Sequence, residues 1–345
     1  MKPFFLILAV FVFIESLTFY SISLAIEGEW TKKTDMSTSR CGTCSGVVKG
    51  KIYVIGGAKE VAIPLPIVEE YNPITDTWTK KKDMPNGRCF GSSIEVNDKI
   101  YVIGGIEKWD ALSTVEEYDP ATDTWIKKRD MSTKRYGLSV SAVNGKIYAI
   151  GGSSVRAEAP ALSIVEEYDT VTDTWTKKAD MPTARFWLST TALNRRIYAI
   201  GGWTGFSYSS AVEEYDPSTD TWTNKSPMPT SRMEHSACAV DRKIYAIGGS
   251  FFFTTLPIVE AYDSVTDTWE AIASIPTARV TFSTGAVNGK IYAIGGSTEN
   301  ILPGSGVVPT IASVEEYDTG FSDLIKSVDA KDKLAATWGE IKCKK

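Results

Sequence analysis

The sequence predicts an all-β fold, a six-bladed β-propeller of four-stranded antiparallel blades, because one cassette of residues recurs six times along the chain. In each cassette an arginine follows a tryptophan by ten positions, and a Gly-Gly pair begins sixteen positions after the arginine. All three series step by 48, 47, 50, 47 and 47 residues. A period near 50 with Gly-Gly after a short apolar run is typical of a propeller rather than of a helical solenoid. The tryptophans are Trp30, Trp78, Trp125, Trp175, Trp222 and Trp269, the arginines are Arg40, Arg88, Arg135, Arg185, Arg232 and Arg279, and the leading glycines are Gly56, Gly104, Gly151, Gly201, Gly248 and Gly295.

Each cassette is expected to contain four short strands. In the cassette that starts at Trp175, these are Phe186–Leu193, Arg196–Ile200, Ala211–Tyr215 and Thr219–Thr223. Asn-Gly, which favours tight hairpins, joins the first two strands in some of the repeats. Pro-x-Thr-Asp, which favours turns, joins the last two. The sequence therefore predicts a four-stranded antiparallel meander in each cassette.

These repeats resemble the kelch repeat family, and the resemblance extends from about Glu27 to Asp318. The motifs that carry it are KIYVIGG (Lys51–Gly57), VEEYDP (Val115–Pro120), DTW (Asp123–Trp125) and MPTAR (Met181–Arg185). The resemblance implies a six-bladed β-propeller in which the first strand of each blade lines a central channel.

The ends of the repeat array indicate how the ring closes. The last repeat has Leu324 where a tryptophan is expected, whereas the segment around Trp30 matches the fourth strand of a complete repeat. We therefore expect the N-terminal strand to pair with Val314–Asp318, which hides two sheet edges. A competing fourth strand is Lys333–Lys342, whose Trp338 resembles the DTW motif. We favour Trp30 and interpret residues 26–320 as the propeller and 321–345 as a C-terminal tail.

Residues 1–25 have the pattern of a secretory signal peptide. A short positive start precedes an apolar run, Pro3–Ile14, and Ser23-Leu24-Ala25 fits a small-residue cleavage site. The alternative is an uncleaved anchor, which Glu15 in mid-span makes costly. The expected location is secreted or periplasmic, with no membrane insertion after the signal is removed.

Composition excludes several classes of function. The net charge of −5 without a long basic block argues against a nucleic-acid partner. His235 is the only histidine, so most histidine metal sites and catalytic triads are excluded, and we expect no metal and no cofactor. Five cysteines do not form an even disulfide framework, and Cys41 and Cys44 are interpreted as inert strand residues. A monomer is expected.

The six arginines allow two interpretations. They precede the channel-lining strands and could form an anion site. Because each recurs once per repeat, together with a glutamate of the Glu-Glu-Tyr motif, we favour a structural Arg–Glu contact.

Glu234 is the only charged residue two positions after a repeat arginine, and His235 follows it. Glu234 and His235, with Arg232 as an anion partner, form the alternative catalytic site.

The loop between the second and third strands varies most among the repeats and should lie on the same face as the loop before the first strand. Rigidly held loops that expose aromatic residues favour recognition. The alternative is a local hydrophobic cap over the blades. The expected ligand-binding residues are Trp109, Tyr136, Phe186, Trp187, Trp203, Phe206, Tyr208, Met233, Phe251, Phe252 and Phe253.

The function that these patterns favour is a non-catalytic secreted or periplasmic binding module that recognises a protein or glycan partner. Two enzyme classes on related propellers are disfavoured. A copper radical oxidase needs several histidine ligands, whereas this sequence has one histidine, and a sialidase needs Asp-box repeats, which are absent from this sequence. The alternative function is a sugar mutarotase or epimerase of the sialic-acid type, which needs only an acid–base group and an anion-binding arginine.

The signal pattern predicts the start of the exported protein. N-terminal sequencing of secreted or periplasmic material should give a chain that begins near Ile26, because cleavage follows the small-residue site. Exported material that still starts at Met1 would contradict cleavage.

Overall fold

The computed structural model describes residues 28–60, 63–108, 110–155, 160–300 and 309–321. These residues form β-strands joined by turns and loops, and none of them forms a helix long and apolar enough to cross a membrane. In chain order the strands are β1 (Trp30–Lys33), β2 (Cys44–Val48), β3 (Lys51–Ile55), β4 (Ala58–Glu60), β5 (Ile63–Pro64), β6 (Val68–Asn72), β7 (Thr77–Lys80), β8 (Ser92–Val96), β9 (Lys99–Ile103), β10 (Ile106–Glu107), β11 (Asp110–Ala111), β12 (Val115–Asp119), β13 (Thr124–Lys128), β14 (Ser139–Val143), β15 (Lys146–Ile150), β16 (Val165–Asp169), β17 (Thr174–Lys177), β18 (Ser189–Leu193), β19 (Arg196–Ile200), β20 (Val212–Asp216), β21 (Thr221–Lys225), β22 (Ser236–Val240), β23 (Lys243–Ile247), β24 (Ser250–Phe251), β25 (Thr254–Thr255), β26 (Val259–Asp263), β27 (Thr268–Ile272), β28 (Ser283–Val287), β29 (Lys290–Ile294) and β30 (Val314–Asp318).

Twenty-four of these strands make six four-stranded antiparallel sheets, which confirms the predicted six-bladed propeller. From the innermost strand outward, blade 1 is β2-β3-β6-β7, blade 2 is β8-β9-β12-β13, blade 3 is β14-β15-β16-β17, blade 4 is β18-β19-β20-β21, blade 5 is β22-β23-β26-β27 and blade 6 is β28-β29-β30-β1. The first strands contact one another around a ring and line the central channel. The remaining short strands form small hairpins in the variable loops of blades 1, 2 and 5.

The strand boundaries in blade 4 differ from the prediction for two physical reasons. The first strand starts at Ser189 rather than Phe186 because Trp187 has a left-handed backbone with φ of 55°. The fourth strand starts at Thr221 rather than Thr219 because Asp220, with φ of 58°, closes the preceding turn. Left-handed residues interrupt the extended backbone that a β-ladder requires.

The N-terminal strand closes the ring as predicted. β1 pairs antiparallel with β30, with Trp30 opposite Tyr317 and their rings 5.3 Å apart. The indole Nε1 of Trp30 donates a hydrogen bond to the carbonyl of Ala273 in blade 5, at 2.9 Å. A Cβ on Gly28 would lie 1.6 Å from the carbonyl oxygen of Asp318, so only glycine fits where the other repeats have aspartate. The competing segment Lys333–Lys342 lies outside the described residues.

In blades 1 to 5 the DTW motif joins the outer strand to the preceding blade, and in blade 6, where Gly28 replaces the aspartate, Trp30 makes this contact without it. In blade 2, the Oδ1 of Asp123 accepts hydrogen bonds from the hydroxyl of Tyr118 at 2.6 Å and from the backbone N–H of Lys82 at 2.9 Å. The Nε1 of Trp125 donates to the carbonyl of Lys82 at 3.1 Å. Tyrosine, aspartate and tryptophan therefore recur because the same hydrogen bonds connect neighbouring blades around the ring.

The six arginines are buried within the blades, as the structural interpretation predicted. In blade 4, Nη2 of Arg185 donates to Oε2 of Glu213 at 2.6 Å. Nη1 of the same arginine donates to the carbonyls of Gly201 at 2.9 Å and Ala211 at 2.8 Å. Burial lowers the pKa of Arg185, and the negative charge of Glu213 opposes that shift. The equivalent ion pairs are Arg40–Glu69, Arg88–Glu116, Arg135–Glu166, Arg232–Glu260 and Arg279–Glu315.

Removing one partner of such a pair should destabilise the whole ring. For Arg185→Met we expect the free energy of unfolding to fall by about 3–5 kcal/mol, because the carboxylate of Glu213 is left buried and uncompensated. The double variant Arg185→Met/Glu213→Met should regain much of that loss. Denaturant titration measures both.

Lys177 and Asp180 form a matched control, since their exposed ion pair is 3.4 Å long. Lys177→Met should cost less than about 1 kcal/mol. Equal losses for Arg185→Met and Lys177→Met would contradict the structural role of the buried pair.

Candidate ligand-binding site on the variable loop face

A closed circle of backbone hydrogen bonds forms one mouth of the channel. One residue from each blade, two positions after the repeat arginine, adopts a left-handed backbone with φ between 50° and 61°. The N–H of each residue donates to the carbonyl of its equivalent in a neighbouring blade, at 2.7–3.1 Å, until the circle closes. The six residues of this circle are Gly42, Phe90, Gly137, Trp187, Glu234 and Thr281.

Two aromatic side chains of this circle lie against neighbouring glycines. A Cβ on Gly42 would lie 2.6 Å from the Phe90 ring, and one on Gly137 would lie 3.2 Å from the Trp187 ring. The Phe90 and Trp187 rings meet edge to face, with centroids 4.9 Å apart. Two circle positions must therefore lack side chains because the aromatic rings of the next blades occupy that space.

Tyr136 and Phe186 support this aromatic pair from below. Both are buried, and their ring centroids lie 5.6 Å and 6.2 Å from that of Trp187. Phe90 belongs to the same cluster, although the sequence interpretation did not include it among the ligand-binding residues. Phe90 lies two positions after its repeat arginine, as Trp187 does, and this shared position was the sequence feature that could have identified it. The position alone does not show that the two rings touch.

The channel behind this mouth has a volume of about 400 Å³. Its lining includes many serine and threonine hydroxyls that join neighbouring blades. Oγ of Ser139 accepts from the backbone N–H of Thr190 at 2.9 Å, and Oγ of Ser189 accepts from that of Ala237 at 2.9 Å. These positions, which the sequence shows only as small residues, therefore hold the innermost strands together.

Glu234 is buried in the circle at the channel mouth. Its Oε2 accepts a hydrogen bond from Oγ of Ser250 at 3.3 Å. Burial raises the pKa of Glu234 from 4.5 to about 7, and the hydrogen bond from Ser250 opposes the shift. The carboxyl group therefore titrates near neutral pH.

His235 occupies a packing position between blades. The equivalent residues of other blades include Leu138, Leu188 and Phe282. Neither ring nitrogen of His235 has a hydrogen-bond partner among the described residues. Its pKa is well below the ordinary value, mainly because of burial and further because of the positive charges of Arg232 and Arg185.

The alternative catalytic residues thus have separate surroundings. Nη2 of Arg232 forms a buried ion pair with Oε2 of Glu260. Glu234 contacts Ser250, and His235 packs beside Gly201, where an added Cβ would lie 2.7 Å from the imidazole Cε1. The guanidinium of Arg232 is therefore engaged inside the blade, whereas an anion-binding arginine must present its N–H groups to a ligand.

The loops of blades 4 and 5 carry a continuous aromatic surface. Tyr208 is its centre, with ring centroids 4.9 Å from Trp203, 5.1 Å from Phe251 and 5.6 Å from Phe252. The exposed fractions are 94% for Phe206, 68% for Phe252 and 70% for Phe253, so these side chains do not form a buried cap. We call the following residues the aromatic surface: Trp203, Phe206, Tyr208, Phe251, Phe252 and Phe253.

Local hydrogen bonds hold Phe206 in place. Oγ1 of Thr204 accepts from the backbone N–H groups of Phe206 at 3.3 Å and Ser207 at 3.0 Å. The N–H of Thr204 donates back to the carbonyl of Ser207 at 3.1 Å. This threonine turn fixes the backbone at Phe206 and leaves its phenyl ring exposed to solvent.

Phe252 and Phe253 form the tip of a two-residue hairpin between β24 and β25. Their φ angles are 44° and 61°, the pattern of a type I′ turn. Asparagine and glycine favour such turns, whereas bulky residues are strained at positive φ. The hairpin therefore places two exposed phenyl rings where the backbone disfavours them.

The remaining predicted ligand-binding residues lie in different places. Met233 is half-buried below the hairpin, and its backbone pairs with that of Ser250. Trp109 lies outside the described residues.

Cys41 and Cys44 are buried free thiols, and burial raises the pKa of each to about 12, which agrees with their interpretation as inert residues.

Comparison with known proteins gives a family and a fold. The sequence model of the KLHDC2/KLHL20/DRC7 Kelch-repeats domain matches residues 18–202 and 128–296. Comparison with curated proteins gave no match. The solved structure titled "Structure of YjhT" is similar, with a TM-score of 0.70 and 15% sequence identity over 82% of this chain and 95% of that chain. At this identity the likeness supports the fold alone.

Two buried titratable groups, Glu234 at the mouth and His235 between blades, should shape the pH dependence of stability. Glu234 has a raised pKa in the folded state, so the unfolded chain releases its proton first and stability falls as pH rises from about 4.5 through 7. Glu234→Gln should remove that decline, on the order of 3 kcal/mol at alkaline pH. Thermal unfolding from pH 4 to pH 9 measures it, and an unchanged pH profile would contradict the burial of this carboxyl.

His235 should act in the opposite direction. Its folded pKa is depressed, so the unfolded chain binds a proton that the folded chain rejects, and stability falls as pH drops below about 6.5. His235→Leu should remove this acid-side loss and raise stability at neutral pH by about 1–3 kcal/mol, because a buried unpaired imidazole is replaced by the residue found in two equivalent positions. A destabilised leucine variant would indicate that the imidazole makes a required polar contact.

Proposed function

Because this chain belongs to the kelch-repeat family, we propose that it is a non-catalytic binding module that recognises a protein or glycan partner through the aromatic surface. Kelch propellers generally mediate protein interactions. The signal-like residues 1–25 support export, so we propose that the module acts in a secreted or periplasmic location.

The observation that carries this proposal is the exposure of apolar rings on loops that the scaffold holds rigidly. Three phenyl rings stand more than half exposed on two adjacent blades. Exposed apolar groups that cluster on one face are a feature of binding surfaces. Aromatic side chains bury a large area on binding and lose little conformational entropy.

Strain in the hairpin supports the same conclusion. Phe252 and Phe253 remain 68% and 70% exposed, so they gain little burial from their positions, and their left-handed backbone costs folding free energy. Strained residues that folding does not require are frequent at functional sites. We therefore interpret the two rings as ligand contacts rather than as parts of the core.

Mutarotase-type catalysis is the second candidate function. The observation that favours it is Glu234, whose pKa near 7 suits general acid–base work at the channel mouth. The buried ion pair of Arg232 weighs against it, since a second group must hold the acidic sugar. If Glu234 is the acid–base group, Glu234→Gln should abolish mutarotation of acidic sugars, and absence of that activity in the wild-type protein would remove this candidate.

Alanine substitution tests the proposed site. The mature wild-type protein is screened on a glycan array and in pull-down experiments, and each identified partner is then titrated. Trp203→Ala or Phe252→Ala should weaken binding at least roughly tenfold, the scale expected for a buried aromatic anchor. A change in the Asn144-Gly145 turn, on the opposite face, should leave affinity unchanged.

A turn exchange separates binding from folding. Phe252→Asn/Phe253→Gly replaces the strained pair with the residues that type I′ turns favour, so the melting temperature should rise or stay constant while binding is lost. Calorimetry and titration of the same samples measure both. Retained affinity would contradict the site, and unfolding would indicate that the two rings belong to the structural core.

A further inference from the structure

We infer that the partner of the aromatic surface is a neutral glycan chain. This inference rests on the proposed function and names the class of ligand. It follows from the charge of the two loops, from polar groups of the aromatic side chains that lack protein partners, and from the extent of the surface.

The two loops that form the surface contain no charged residue. Residues 203–210 read WTGFSYSS and residues 250–257 read SFFFTTLP. The neighbouring loop contributes Glu299, an exposed carboxylate next to Thr298, whose carbonyl accepts a hydrogen bond from Thr255 at 2.9 Å. These two loops hold no cation that could neutralise an acidic sugar, and the exposed carboxylate of Glu299 beside them would repel one. The charges therefore fit an uncharged ligand.

Trp203 and Tyr208 have hydrogen-bonding groups that the described protein does not use. The six repeat tryptophans all donate their Nε1 hydrogen to a backbone carbonyl of a neighbouring blade. Trp203 Nε1 and Tyr208 Oη have no such partner among the described residues, and neither atom is one of the buried unpaired ones, so both are open to a ligand. A ligand that packs on these rings should also offer them hydrogen-bond acceptors.

A sugar ring combines both properties. Its C–H faces are apolar and slightly positive, so they pack against the negative face of an aromatic ring, while the hydroxyls around its rim accept and donate hydrogen bonds. Thr254, exposed beside Phe253, offers a further hydroxyl. The surface thus presents aromatic rings and neutral hydrogen-bonding groups side by side, the two kinds of contact that a sugar ring makes.

The extent of the surface favours a chain over a single sugar. The aromatic contacts run from Trp203 in blade 4 through Tyr208 to Phe251 and Phe252 in blade 5, at centroid distances of 4.7–5.6 Å. These rings pack against one another at tilted or edge-to-face angles, and the rings most exposed to a ligand, Phe206, Phe252 and Phe253, lie on both blades, so more than one sugar unit can be contacted. A peptide that offers only apolar side chains would leave the indole N–H of Trp203 and the hydroxyl of Tyr208 unused, and the donor variants below distinguish it from a glycan.

Native affinity electrophoresis tests this inference directly. Gels are cast with galactomannan, hydroxyethyl cellulose or laminarin as neutral probes, and with polygalacturonate as an acidic probe. At least one neutral polysaccharide should retard the wild-type protein, and polygalacturonate should not. Phe252→Asn/Phe253→Gly should weaken the retardation at least tenfold, whereas Ile74→Ser, which removes a side chain 87% exposed on the opposite face, should leave it unchanged.

Conservative variants distinguish sugar recognition from general apolar contact. Trp203→Phe and Tyr208→Phe keep an aromatic ring but remove the N–H or O–H donor, so affinity for the neutral polysaccharide should fall about three- to tenfold. If affinity stays unchanged in both variants while the turn exchange abolishes it, the surface binds by apolar contact alone and the glycan assignment is wrong.

The remaining outcomes separate this inference from the proposed function. Retardation by none of the neutral probes, or by polygalacturonate alone, overturns the neutral glycan. A protein partner from the pull-down whose binding is lost in Trp203→Ala would then still support the binding module. A partner whose affinity does not respond to any aromatic-surface variant overturns both.

Discussion

The buried arginine of each repeat holds its own blade together and joins it to the neighbouring blade. Its side chain binds the glutamate and the first glycine carbonyl of its own blade, while its backbone carbonyl accepts the N–H of the second glycine of the neighbouring blade, at about 2.9–3.0 Å in all six cases. One residue thus joins two blades and fixes where the second strand ends. Because a guanidinium without these partners would be buried and unpaired, the arginine, the glutamate and Gly-Gly must recur together.

The contacts that recur in every repeat leave few polar side chains free to bind a ligand. The tryptophans, the DTW aspartates and the channel serines all form joints between blades, so their polar groups are already engaged. Variation is restricted to the loops beyond Gly-Gly, where the backbone leaves the ladder. In blades 4 and 5 these loops carry exposed rings, a strained turn and donor groups without a protein partner. The residues proposed to bind a ligand are therefore different from the residues that stabilise the fold.

The circle at the channel mouth illustrates the same division within a single ring of residues. Six left-handed backbones form identical hydrogen bonds, so the circle tolerates different side chains. Phe90 and Trp187 cover the two glycines, whereas Glu234 is buried with a pKa near neutrality. The backbone supplies closure, and the side chains decide the polarity and size of the opening.

The blade count, the strand order and the ring closure could be read from the sequence, because they follow from residues that must form the same contacts between blades in every repeat. Trp30, for example, was assigned to the last blade from its context alone, and it pairs with Tyr317. The sequence also placed the aromatic loops on one face, but it did not show that Tyr136 and Phe186 are buried while Phe206 is exposed. These exposures, and the circle that Gly42, Phe90 and their equivalents form, became visible in the folded chain alone. They depend on contacts between residues about 48 positions apart, and the side chains at those positions differ from one repeat to the next.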